Sequence, residues 1–157
     1  MPPADSDRTL HLERTLAAPR ASVWRCWVEP ELLRQWYCPR PWMVSEAEMD
    51  LRPGGRFFVR MRGPEGQDVP LPGVFLAVEP GVRLVFTDAF ESAWRPSSRA
   101  FMVGEIRLAD APGGQTHYRA QAHHWTAEAA AEHAQMGFEA GWNAAALQLE
   151  ALAARLS

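Results

Sequence analysis

No lysine occurs in this 157-residue chain; all 16 of its basic residues are arginine. That absence excludes catalysis through a lysine Schiff base. The arginines are scattered rather than clustered, so the bias reads as compositional and not as a docking surface. An excess of one charge is also missing: a formal net charge of −3 leaves no global basic field for nucleic acid or an anionic membrane. Cysteine is scarce, with only Cys26 and Cys38, and two thiols cannot close a zinc site alone. The opening MPPADSDR lacks the charged and apolar regions of a secretory signal. Both cysteines are therefore expected reduced and structural. Nor does any run approach the roughly 18 to 20 apolar residues that cross a bilayer. With 47% hydrophobic and 22% charged residues, the profile is that of a globular chain. The expectation is one cytoplasmic domain over residues 8–157, preceded by a loose tail over 1–7.

What is present has a clear order. Leu10, Leu12 and Leu16 share one side of a first strand, which ends at Pro19, a good first residue for a helix. Val23, Trp24 and Trp27 recur at three- and four-residue spacing and predict an amphipathic helix over 20–28. Pro30 opens a second short helix, ELLRQW, which CPRP stops. Strands follow: 44–51, then a turn at RPGG, then Phe57, Val59 and Met61 alternating with Arg56, Phe58, Arg60 and Arg62. GPEGQDVPLPG reads as a turn-rich loop, and Val74, Leu76 and Val78 as the apolar face of the next strand. EPGV is a tight turn, and Leu84 and Phe86 continue the apolar face. A polar excursion over 88–99 precedes a strand over 101–108. ADAPGGQ connects it to a last strand with Tyr118, Ala120, Ala122 and His124 on one side.

From Thr126 the chain is alanine-rich and helical. Phe138, Trp142, Ala145, Leu149, Leu152 and Leu156 form an apolar stripe at helical spacing. Beside it, Gly137 and Gly141 each cost a helix interior roughly 1 kcal/mol relative to Ala. Either the sheet approaches closely there or the missing side chains leave room for a ligand. Short connections favour sequential antiparallel hairpins, and only the long last helix is large enough to cover such a sheet. The architecture expected is α+β: a curved antiparallel sheet gripping a helix.

Four segments carry a resemblance to a known family: LAAPRASVWRCWVEPELLRQWYCP, EMDLRPGGRFFVRMRGPEG, GVFLAVEPGVRLVFTDAFE and HAQMGFEAGWNAAALQLEAL. In this order they resemble the activator-of-Hsp90-ATPase-like branch of the START/Bet v 1-type superfamily, often called SRPBCC. The resemblance implies a helix-grip (Bet v 1-like) fold: a curved antiparallel sheet around a long C-terminal helix, with two short helices after the first strand. It also implies an internal cavity that many relatives use for apolar or amphipathic small molecules. Where the family often has Trp-Trp-Gly-Pro, this chain has Trp36, Tyr37, Cys38 and Pro39. The eukaryotic co-chaperones of that name carry a separate Hsp90-binding N-terminal domain that this chain does not show, so Hsp90 is not an expected partner.

The expected function is binding of a small apolar or aromatic molecule between sheet and helix. The expected ligand-contacting residues are Trp36, Phe57, Val59, Met61, Phe86, Tyr118, His124, Met136, Gly141 and Trp142. His124 is a weak catalytic candidate, because a neutral imidazole at an inward strand end can act as a general base; His123 should face outward. The alternatives are a polyketide cyclase-like or other small-molecule enzyme using His124, or a protein-interaction module of the co-chaperone type. HHWTAEAAAEH supplies zinc-type ligands, but its spacing lacks the fixed i,i+4 geometry of HExxH. No metal and no cofactor are therefore expected. Arg14 shares the parity of Leu10, Leu12 and Leu16, and a buried arginine needs a partner. RPGG precedes a strand and so is no phosphate loop. GxSxG and CxxC are both missing. The expected partner is a small hydrophobic ligand, not nucleic acid or membrane, and the expected state is a monomer or homodimer.

Overall fold

A computed structural model describes residues 7–98 and 100–156. The predicted tail thus lies outside the described residues, except for Asp7. β1 (Thr9–Leu16) leads into α1 (Arg20–Val28) and α2 (Pro30–Leu33). Pro19 caps α1 from an extended backbone, and Pro30 occupies the first turn of α2, where its missing N–H costs nothing. The strands β2 (Met43–Met49), β3 (Phe57–Arg62), β4 (Asp68–Leu71), β5 (Val74–Glu79) and β6 (Arg83–Thr87) follow. A small hairpin of β7 (Phe90–Glu91) and β8 (Arg95–Pro96) fills the polar excursion. β9 (Val103–Ala111), β10 (Gln115–His123), α3 (Ala127–Gln135) and α4 (Phe138–Leu156) complete the chain.

A five-stranded antiparallel sheet has the order β1-β10-β9-β6-β5, and β2-β3-β4 form a three-stranded one. The two are joined by a bridge between Arg56 and Val74, so the single sheet read from the sequence is divided at this point. Register lines up Leu12, Ala120, Ile106, Leu84 and Val78 across the five strands on the side facing α4. On the opposite face, Glu105 takes hydrogen bonds from Arg83 and Arg107 and pairs with His123, 3.0 Å away. His123 faces outward, as its alternation requires.

Three sequence expectations need correction. GPEGQDVPLPG is not all loop, because it contains β4, which pairs with β3 as an edge strand; Pro70 is tolerable only at such an edge. The inward face of β5 is Phe75 and Val78 rather than Val74, Leu76 and Val78, because a bulge between Phe75 and Ala77 inverts the parity. The alanine-rich C-terminal run is two helices. Gly137, at a φ of 101°, stops α3 with its N–H on the Ala134 carbonyl. Its own carbonyl then accepts the first bond of α4, from Gly141 N–H at 2.8 Å.

α4 lies across the sheet and buries Ala145, Ala146, Leu149, Leu152 and Ala153. Polar ties fix its rotation. Gln148 Nε2 donates to the carbonyls of Trp36 and Cys38, and Arg14 reaches the Asn143 side chain at 2.8 Å. Arg14 therefore does point inward, and its partner is an amide rather than a carboxylate. A sheet holding one long helix, with two short helices after the first strand, is the helix-grip architecture. No helix among the described residues is long and apolar enough to cross a membrane.

Candidate functional site

The sheet is wider than α4 can cover, and the uncovered part encloses a cavity of about 420 Å3. Its walls come from every layer: Trp27 of α1, Trp36 to Pro39 after α2, β3, β4, the end of β6, β10, α3 and α4. Met136, 72% exposed, stands at the rim, so the cavity reaches the surface at the α3–α4 junction. The lining is predominantly apolar, the usual character of a small-molecule site.

Two aromatic networks flank the space. One joins Trp27, Trp36, Tyr37, Phe57, Phe75 and Phe86, with Trp27 and Trp36 edge to face at 4.9 Å and Phe57 stacked on Phe75 at 4.9 Å. Gly104 is bare because the Phe86 ring lies where its Cβ would stand. The second network joins Phe101, His124, His133, Phe138 and Trp142. Edge-to-face pairs of this kind add roughly 0.5–1.5 kcal/mol beyond area burial, so the walls are stiff.

Few polar groups interrupt the lining. Trp27 Nε1–H donates to the Tyr118 hydroxyl oxygen at 3.3 Å, leaving that hydroxyl its own proton. Burial pushes the phenols of Tyr118 and Tyr37 well above their ordinary range, so both stay neutral. Burial likewise raises the Cys38 thiol to about 11, and Cys26 similarly, which leaves both free thiols protonated and poor nucleophiles. Asp88 Oδ1 is occupied by the N–H groups of Phe101 and Met102. Polar groups are thus few in the apolar walls, and the one carboxylate among the described lining residues, Asp88, already accepts two backbone N–H bonds.

Nine of the ten residues singled out from the sequence line this one space: Trp36, Phe57, Val59, Met61, Phe86, Tyr118, Met136, Gly141 and Trp142. Gly141 lies open to it; a Cβ there would find only Pro39 Cγ, at 3.9 Å. His124 is inward and buried but stands one layer behind the lining. Its Nδ1 lies 3.0 Å from the Phe101 carbonyl, and its Nε2 lies 3.0 Å from His133 Nδ1. The imidazole at the cavity wall is His133. Burial pulls it down to about 4, and it lowers His124 as well. Among the described residues, no three His, Cys, Asp or Glu side chains are grouped to hold a metal ion. Sequence reasoning weighed His133 only as a metal ligand and missed it as a lining residue, along with Phe101, Met102 and the β4 residues Val69 and Leu71. The available signal was the spacing of Ala130 and His133 on one face of α3, and the alternation inside DVPL.

A sequence model of the family described as Activator of Hsp90 ATPase homolog 1-like protein matches residues 17–154. Among solved structures, protein NE0264 from Nitrosomonas europaea is 42% identical with a TM-score of 0.91, covering 94% of this chain and 95% of that one. Protein Ms6760 from Mycobacterium smegmatis is 25% identical with a TM-score of 0.77, over 93% of this chain and 90% of that one. An AHSA1-like protein from Aeromonas hydrophila shares the fold at 22% identity and a TM-score of 0.69, over 92% and 90% of the two chains. A search of curated proteins finds no significant match.

Proposed function

This chain belongs to the Activator of Hsp90 ATPase homolog 1-like family, and within that architecture we propose that it binds a small apolar or aromatic molecule between sheet and α4. The observation that carries the reading is the cavity of about 420 Å3, walled by aromatic rings and open beside Met136. That volume falls in the range of small-molecule pockets, roughly 300–1,000 Å3. Residues 8–157 act in this reading as one ligand-binding unit in the cytoplasm. The net charge of −3 supports a partner other than nucleic acid. A catalytic His124 is less well supported, because both of its ring nitrogens are already bonded.

Titrating a panel of small aromatic compounds into the 15N-labelled protein tests this. The expected result is saturable shifts of Gly141, Trp142 and Tyr118 amides, with affinity weakened several-fold in Trp142→Ala while its thermal melt stays cooperative. Shifts that never saturate, or that ignore Trp142→Ala, overturn the reading.

A further inference from the structure

His133 is more than nine-tenths buried yet lines the cavity, and its ring hydrogen bond runs away from that cavity. The chain of bonds behind it has a fixed polarity. A carbonyl only accepts, so the Phe101 oxygen requires a proton on His124 Nδ1. A neutral His124 then has its lone pair at Nε2, which accepts from His133 Nδ1–H. The lone pair of His133 is left at Nε2, on the ring edge turned from His124. Among the described residues, nothing donates to it. Both rings are neutral because burial disfavours their charged forms. The rings of Phe101, Phe138 and Trp142, with centroids at 4.8, 5.2 and 6.1 Å, hold the imidazole in place.

We propose that His133 Nε2 is the hydrogen-bond acceptor of the cavity, fixed in that role by His124 as a positioning residue, and that the ligand presents a neutral hydroxyl or N–H donor on an apolar or aromatic body. The inference rests on the cavity reading and sharpens it, since a purely hydrocarbon guest would leave a buried acceptor unpaired. Tyr118, hydrogen-bonded to Trp27 of the other aromatic network, supplies the complementary donor, so a ligand with a donor at one end and an acceptor at the other satisfies both.

Matched probe pairs test it: phenol against anisole, and 2-naphthol against 2-methoxynaphthalene, titrated by NMR into wild type, His133→Phe and His124→Phe. Ring 15N shifts of the unliganded wild type report the tautomer directly. The expected result is an unprotonated Nε2 on His133 and a preference for the hydroxyl probe on the order of tenfold. His133→Phe keeps the aromatic contacts and should bind both members of a pair alike, with its affinity for the methyl ether serving as the folding control. In His124→Phe the partner of His133 Nδ1–H is gone, so the ring is released to the other tautomer and the hydroxyl preference falls in the same way. A protonated Nε2 in the wild type, or equal binding of both probes, overturns the proposal while leaving the cavity reading intact. Binding of neither probe overturns the cavity reading, and the proposal with it.

Discussion

Gly137 and Gly141 stand one helical turn apart, and the structure predicts opposite outcomes for the same substitution at each. Gly141 lies in the first turn of α4, and a Cβ added there meets only Pro39 Cγ at 3.9 Å, an ordinary contact. Gly141→Ala should therefore stabilise the protein by about 0.5–1 kcal/mol, by removing the entropic cost of glycine in a helix. Gly137 also has open space around it, but its φ of 101° is one that L residues reach only at a cost of roughly 1–2 kcal/mol. Gly137→Ala should be destabilising by that amount. Urea denaturation with both variants would show midpoints moving in opposite directions at an unchanged m-value, separated by about 2 kcal/mol. In a thermal melt, each kcal/mol corresponds to a shift of about 2–4 °C in a chain of this size. A third variant, Gly141→Leu, places a large side chain in the cavity and should abolish ligand binding while the fold survives. Loss of stability in Gly141→Ala would mean that the helix already touches a wall there. A neutral Gly137→Ala would refute the break between α3 and α4.

The remaining predictions concern the imidazole pair and the core. His133 falls from 6.5 to about 4 in the folded state, with burial first and the neighbouring His124 second as causes. The unfolded chain therefore binds more protons between those values, so stability is complete above pH 6.5 and is lost as pH falls toward 4. The loss is on the order of 3 kcal/mol. His124 adds to the same slope; burial and His123 lower it, against the Phe101 carbonyl and Asp88. Denaturation at pH 7 and pH 5 checks this, and His133→Phe should remove the larger part of the difference; an unchanged slope in that variant would refute it. Leu149, fully buried between α4 and the sheet, should cost about 2–5 kcal/mol when cut to Ala. A loss below 1 kcal/mol would show that α4 is not held by this contact.

Local signals that agree with one another made much of the fold legible. α1 and α2 follow from the spacing of Val23, Trp24 and Trp27 and from Pro30, because helix period and proline geometry are properties of a few adjacent residues. The cavity lining was legible for the same reason: alternation in β3, β6 and β10 and the stripe on α4 decide which side chains face one another. The failures occur where one residue changes the count. The extra residue in β5 moves Phe75 inward and displaces Leu76, and no composition cue marks that bulge. Gly137 sits in a run of strong helix formers on both sides, so it reads as a tolerated defect when it is a stop. Parity puts His124 inward, and it is buried there at 5% exposure. Whether it meets a cavity or a second histidine depends on how α3 folds back, and that geometry belongs to no local segment.

The size of the cavity bears on why its walls have the composition they do. Sealed and empty, a void of about 420 Å3 would cost about 10 kcal/mol at the 24 cal/mol per Å3 seen for core truncations. That is comparable to the whole stability of an ordinary domain, roughly 5–15 kcal/mol. The fold can carry the space only by leaving it open beside Met136 and by stiffening its walls. Both aromatic networks serve the second need, since Trp27, Phe57 and Phe86 on one side and Phe101, Phe138 and Trp142 on the other are each held by several rings. Water entering by the rim is a poor occupant of such a space, because a buried water needs two to four polar partners. The polar functions along the lining, the Tyr118 hydroxyl proton, the His133 Nε2 lone pair and the Asp88 carboxylate chief among them, are too few to satisfy a chain of waters. They are enough for one molecule with an apolar body and two polar ends, and filling the space with it would recover contacts that neither water nor wall collapse supplies.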